Sequence, residues 1–221
     1  MMATPTLSGR WCSRWSGLGL ALLGLLLLSL PATASDRTAL APPQQVIDQV
    51  STGLQRVLAE DRERLASDLA AVRRVVDELF LPNIDLQRAA ALILGRHWRT
   101  ATPSQRRAFI AAFTDLVINT YAHAVHEIGP WNIRYLPMRT TDNPDRVVVR
   151  TEILRARGSP VAVDYRMIRQ DGRWLAYDVL VGGVSLLTNY RSTFNSIARE
   201  RGLDGLIDEL QRRNTARWTG S

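Results

Sequence analysis

Between Val161 and Val181 the chain alternates, turns and alternates again: VAVDYRMIRQDGRWLAYDVLV. Val161, Val163, Tyr165 and Met167 fall on one face of an extended strand, with Ala162, Asp164, Arg166 and Ile168 on the other. Asp171-Gly172 separates the two runs, and such a pair tolerates the positive φ angles that a tight hairpin turn demands. A two-residue loop there predicts pairing of Arg169 with Trp174, Met167 with Ala176 and Tyr165 with Asp178. The chain then passes through Gly182-Gly183, a candidate hinge, into an apolar and aromatic segment ending at Arg191. This hairpin forms one wall of an interior. The rest of the chain has to supply the other.

Two more alternating runs precede it, giving expected strands at 131–138, 146–155, 160–169 and 173–181. Their short connections, Asp142-Asn143-Pro144, Arg157-Gly158-Ser159 and Asp171-Gly172, require an antiparallel meander. In the second strand Val147, Val149, Thr151 and Ile153 share a face opposite Arg150 and Glu152.

Upstream the period is helical. Val46, Ile47, Val50, Leu54, Val57 and Leu58 form one stripe, and a second helix is expected from Leu65 to Leu79, ending before Pro82. Asp85 is the expected N-cap of a short helix, 86–94, with Gly95 as its stop. Thr102-Pro103-Ser104-Gln105 reads as a capping box opening the longest helix, from Pro103 to about Glu127. Its apolar face carries Phe109, Ala112, Phe113, Leu116, Val117, Thr120, Tyr121 and Ala124. Some 25 residues span about 37 Å, longer than an extended acyl chain. After the sheet, Leu186, Leu187, Tyr190, Phe194, Ile197 and Ala198 mark a helix ending near Gly202, and Leu203 to Leu210 mark another. Residues from Arg212 onward read as a frayed tail. The expected class is α+β: N-terminal helices, a four-stranded antiparallel meander, C-terminal helices, and an apolar cavity between sheet and helices.

Residues 1–34 carry an export signal: Arg10 and Arg14, a 13-residue apolar run from Leu18 to Leu30, and Ala32-Thr33-Ala34 as a small-x-small cleavage site. Cleavage leaves 187 residues: a linker at 35–43, a single domain at 44–214 and a tail at 215–221. The apolar run is too short to span a bilayer comfortably. The only cysteine, Cys12, departs with the signal, so disulfides, thiolate catalysis and cysteine metal sites are excluded. All 28 basic residues are arginine. Without Arg10 and Arg14, 26 arginines face 21 acids, a net charge of +5 that suits anionic partners such as membrane surfaces. The arginines are scattered and the address is extracytoplasmic, so nucleic acid is not the expected partner.

Catalytic signals are weak. His123, His126 and Glu127 cluster on the long helix, but the order H-A-V-H-E is not the H-E-x-x-H of a zinc helix, and no metal or cofactor is expected. Ser185 lacks the glycine two residues on that a nucleophile elbow needs, and reads instead as a helix start. Asp164 and Asp178 lie among apolar strand positions. Each fits a general base; the alternative is a satisfied carboxylate, Asp164 paired with Arg166 or another arginine, and Asp178 accepting from the Tyr165 hydroxyl or from backbone N–H groups.

Several runs resemble MlaC-type periplasmic phospholipid-binding proteins, the toluene-tolerance family. They are Leu81-Pro82-Asn83-Ile84-Asp85, Leu94-Gly95-Arg96-His97-Trp98-Arg99, Gln105-Arg106 to Phe109 and Asn119-Thr120-Tyr121-Ala122. More specific are Val163-Asp164-Tyr165-Arg166, Gly172-Arg173-Trp174 to Tyr177-Asp178-Val179, and Gly183-Val184-Ser185-Leu186 to Asn189-Tyr190-Arg191 and Phe194, with Leu206-Ile207 to Leu210 at the end. Thr193 departs from the glutamine such proteins often carry. The resemblance implies a monomeric carrier with phospholipid as cargo. It would exchange lipid with an MlaA-type outer-membrane lipoprotein and with the MCE-domain ring of an inner-membrane ABC transporter. It also implies acyl chains held between sheet and helices.

The expected lipid-binding face is Val147, Val149, Ile153, Val161, Val163, Tyr165, Met167 and Trp174, set against Phe113, Leu116, Val117, Tyr121, Val184, Leu187, Tyr190 and Phe194. Each buried CH₂ contributes about 0.8 kcal/mol, so two chains of about 16 carbons gain on the order of 20 kcal/mol or more. Free lipid therefore cannot cross water at a useful rate, and a carrier must match most of that burial. The competing readings are an α+β enzyme on an apolar small molecule, with Asp178 or Asp164 as base and Tyr165 as electrophile, and an adaptor with a filled core.

Overall fold

A computed structural model describes residues 40–125 and 129–218. The expected export signal, most of the expected linker, and His126 and Glu127 lie outside the described residues. Helix α1 (Pro42–Glu60) starts at Pro42-Pro43, inside the expected linker, because proline fits a first helical turn whose N–H groups have no intrahelical acceptor.

The helix expected from Leu65 to Leu79 is broken. It comprises α2 (Arg62–Ser67), α3 (Leu69–Val75), a π-turn at Val76–Phe80 and a 3₁₀ turn at Leu81–Asn83. Asp68 causes the first break: its backbone is extended at φ −122°, and its carboxylate accepts the Ala70 N–H at 2.8 Å. A short polar side chain that bonds its own backbone competes with helix continuation.

Helix α4 (Leu86–Leu94) is capped as expected, Asp85 Oδ1 accepting the Arg88 N–H at 2.9 Å and Gly95 ending it at φ 55°. After α5 (Arg96–Thr100), the capping box opens α6 (Pro103–Val125). Gln105 N–H donates to Thr102 Oγ1 at 3.2 Å, and Thr102 N–H donates to Gln105 Oε1 at 3.0 Å.

The sheet is an antiparallel meander of five strands, one more than expected, in the order β1 (Trp131–Thr140), β2 (Arg146–Arg155), β3 (Val161–Gln170), β4 (Arg173–Val181) and β5 (Val184–Ser185). The extra strand arises at Gly182-Gly183, where φ of 58° and 83° doubles the chain back and pairs Leu180 with Ser185 and Val181 with Val184. At the main hairpin Arg169 pairs with Trp174 and Met167 with Ala176, as expected. A bulge at Tyr177 then shifts the register, so Tyr165 pairs with Val179 and Arg166 with Asp178.

Helix α7 (Leu186–Trp218) is two helices joined at Gly202, whose φ of 73° and ψ of 178° are not helical. It continues through the residues expected to fray, held by Asn214 Nδ2 donating to Ala112 O at 3.0 Å and by Arg213 and Arg201 on Glu209.

Buried side chains fall into three clusters. One joins α4, α6 and α7 around Ile93, Leu94, Phe109, Phe194, Leu206 and Leu210. A second joins α1, α2 and α3 to Ile118 of α6 and Trp131 of β1. The third lies between α1 and the sheet, around Ile47, Val147, Val149, Met167 and Ala176.

Candidate functional site

The hairpin is a wall, and α1 is the element seated on it. Ile47 and Val46 of α1 join Val147, Val149, Met167 and Ala176, with Tyr165, Trp174, Ile133, Tyr135 and Met138 half-buried around them. Two hydrogen bonds fix α1 there: Trp131 Nε1–H to Ser51 Oγ at 3.0 Å, and the Tyr135 hydroxyl to Asp48 Oδ1 at 3.2 Å. Sequence reasoning missed Ile47, Ile133, Tyr135 and Met138. Asp48 and Ser51, three residues apart beside the α1 apolar stripe, were the available signal for a helix that must hydrogen-bond to what it covers.

The expected residues are not gathered in one place. Val147, Val149, Tyr165, Met167 and Trp174 belong to the sheet-side cluster, and Ile153 packs on the second cluster. Phe113, Leu116, Leu187, Tyr190 and Phe194 belong to the helical cluster. There the Phe113 and Tyr190 rings meet edge to face, 5.0 Å between centroids, and Phe194 packs edge-on to Phe113 at 5.9 Å. Val163, buried, and Val161 and Val117, half-buried, lie outside all three clusters among the described residues. Tyr121 and Val184 are exposed, at 45% and 64%.

A cavity of about 830 Å³ opens between α4, Trp98 of α5, Ile110 of α6 and the Gln170–Leu175 end of the hairpin. None of the expected lipid-binding residues lines it.

Asp178 is structural. Asp178, 4% exposed, accepts from Ser185 Oγ–H at 2.8 Å, from Arg166 Nη1 at 2.9 Å and from the Leu187 N–H at 3.3 Å. Ser185 Oγ in turn accepts the Thr188 N–H at 3.1 Å, so the pair caps the start of α7. The expected Tyr165 partner of Asp178 is replaced by Arg166 because the bulge puts Arg166 opposite it. Asp164 faces Arg150 in register, and no ion pair within 4.0 Å joins it to an arginine among the described residues.

Burial pushes the Tyr165 hydroxyl up to about 12, against a small opposing effect of its hydrogen bond with Thr151. Burial, then the neighbouring Asp48 carboxylate, raises Tyr135 further. Neither phenol ionises near neutrality. No metal-holding group of His, Cys, Asp or Glu occurs among the described residues, and no described helix is long and apolar enough to cross a membrane.

The family model described as MlaC protein matches residues 48–212. The chain belongs to the MlaC family. Within it, the chain is 25% identical over 192 residues to the intermembrane phospholipid transport system binding protein MlaC of Haemophilus influenzae, covering 85% of this chain and 90% of that one. It is 26% identical over 188 residues to toluene tolerance protein ttg2D of Pseudomonas putida, covering 84% and 86%. Among solved structures it resembles the phospholipid-binding protein of Ralstonia solanacearum, determined in complex with a phospholipid. That match has a TM-score of 0.74 and 29% identity over 80% of this chain and 99% of that one.

Proposed function

We propose that this MlaC-family protein is a phospholipid carrier of the periplasm. The observation that carries the reading is its likeness, over nearly the whole of that chain, to a protein solved with a phospholipid bound. Its own packing supports it. The sheet face is walled by a cluster of buried residues, Val147, Val149 and Met167 among them, distinct from the helical cluster around Phe109 and Phe194. The proposed lodging for acyl chains is the sheet side, walled by Val147, Val149, Tyr165, Met167 and Trp174, with Ile153, Val161 and Val163 on the same strands. Phe113, Leu116, Leu187, Tyr190 and Phe194 pack into the helical cluster instead, and Tyr121 and Val184 are exposed. Methionine and half-buried aromatics reshape at low cost, as a wall that fills and empties requires.

Donor and acceptor would be an MlaA-type lipoprotein and an MCE-domain ring, with the carrier acting as a monomer and without a cofactor. Catalysis is disfavoured because three donors already occupy Asp178. The test is mass spectrometry of organic extracts from mature protein produced in bacteria. Stoichiometric glycerophospholipid is expected. Its absence, together with an interior that excludes added fluorescent lipid, would overturn the carrier reading.

A further inference from the structure

The outward stripe of α7 carries a second, polar site. Thr188, Arg191, Ser192, Asn195 and Arg199 recur every three or four residues on that helix, and with Gly95 and Arg96 they line a cavity of about 530 Å³. Its side chains are arginines and hydrogen-bonding neutral groups, with no carboxylate. Arg166, Arg169 and Arg134 each have an acid within 3.0 Å. Arg96, Arg191 and Arg199 have none within 4.0 Å among the described residues.

The fold imposes this crowding of like charge. Gly95, at φ 55°, turns the chain from α4 to α5 and delivers Arg96 to the rim. Arg191 lies close to Gly95: a Cβ at position 95 would be in ordinary contact, 3.5 Å from Arg191 Nη2. Arg199 Nε donates to Asn195 O at 3.3 Å, and Asn195 Nδ2 donates to Arg191 O at 2.9 Å and to Ile93 O at 3.4 Å. His97 beside them is held below its ordinary pKa, by burial first and then by Arg96 and Arg199.

None of the residues lining this cavity belongs to the sheet-side wall, so it is separate from the cargo site of the carrier reading.

We propose that Arg96, Arg191 and Arg199 form a binding site for a phosphate group, carried by a lipid headgroup or free in solution. Guanidinium forks match phosphate oxygens in bidentate geometry, and an anion relieves the mutual repulsion of three cations sharing one cavity. The Ser192 and Thr188 hydroxyls supply neutral donors around it.

The mature protein, isotopically labelled, is titrated with inorganic phosphate and, at matched ionic strength, with chloride. Saturable amide shifts at Thr188, Ser192 and Asn195 are expected with phosphate alone. In the variant Arg96→Gln/Arg191→Gln/Arg199→Gln the affinity falls at least tenfold. It is unchanged in Arg139→Gln/Arg155→Gln/Arg157→Gln, which removes equal charge from the exposed rim of the sheet. Cosedimentation with phosphatidylglycerol vesicles then distinguishes the sources. A several-fold loss confined to the first variant assigns the site to headgroups; equal vesicle binding by both variants assigns it to free phosphate. Shifts matched by chloride, or equally weakened in both variants, overturn the proposal. The phosphate-against-chloride comparison needs no variant, so a folding defect does not shield it. Bound cargo is measured separately, so failure here leaves the carrier reading intact.

Discussion

The helical side and the sheet side of this protein bury similar residue types to different ends. On the helical side Ile93, Phe109, Leu206 and Leu210 are wholly excluded from solvent, and Phe109 meets Phe194 edge to face at 6.0 Å. On the sheet side Val149 and Met167 are as deeply buried, but Ile133, Tyr135, Met138, Tyr165 and Trp174 around them are only half covered. Among the described residues, buried side chains in the first cluster outnumber the half-covered ones packed against them, eleven to eight; in the second they do not, five to six. Under the carrier reading the contrast predicts that stability and cargo handling rest on different elements, so that loading one need not loosen the other.

The most forceful way to test that division is Phe109→Ala. Removing a fully buried ring costs about 3–5 kcal/mol. Urea denaturation should show that loss equally in lipid-free and lipid-loaded protein. A loss that shrinks sharply once lipid is bound would mean the helical core is itself part of the cargo site.

Asp178 joins the two regions, since it sits on β4 and caps α7. Asp178→Asn keeps the shape but removes the charge that Arg166, Ser185 and the Leu187 N–H address. Hydrogen bonds to charged groups contribute about 1.5–3 kcal/mol, and a loss of roughly 2–3 kcal/mol is expected in thermal or urea unfolding. Phospholipid content measured on the folded variant should be unchanged. An abolished turnover with ligand retained would instead support the enzyme.

Alkali acts on the sheet side. Tyr165 ionises near 12 when folded and near 10 when unfolded. The folded state therefore binds the proton more tightly, so its contribution is complete below pH 10 and is lost as pH rises from 10 to 12. The loss is on the order of 2 kcal/mol, with Tyr135 adding to the same trend at higher pH. Stability curves of Tyr165→Phe should be flatter than wild type across that window. Equal slopes would place the alkaline sensitivity elsewhere.

Much of this was legible in the chain because it rests on local rules. The Asp85 cap, the Thr102–Gln105 box, the Ser185 helix start and the Asp171-Gly172 turn each depend on residues within a few positions of one another. What escaped was long-range. Alternation in β3 and β4 gives no hint of the bulge at Tyr177 that moves Asp178 from Tyr165 to Arg166. Periodicity shows that α1 has an apolar stripe, but not that this stripe covers the sheet in place of α6. Helix α6 is buried on more than one side, Phe109 and Leu116 toward α7 and Ile118 toward α1–α3, so a single-face reading could not place it. The Asp68 break shows a polar side chain outweighing a sound apolar pattern.

Val163→Trp has the smallest expected effect on stability and bears most directly on the comparison. Val163 is 9% exposed and lies on the sheet face, yet it joins none of the three clusters. In a packed core, enlargement costs about 1–3 kcal/mol because neighbours have nowhere to go. Ala112→Leu, 3% exposed within the helical cluster, should incur that cost while leaving phospholipid content unchanged. At the proposed acyl-chain wall the indole would occupy space otherwise taken by lipid, so Val163→Trp should cost less than about 1 kcal/mol. The phospholipid recovered per protein should fall several-fold by mass spectrometry. If Val163→Trp destabilises as much as Ala112→Leu and still carries a full lipid load, the sheet side is a second packed core and the division between the two regions fails.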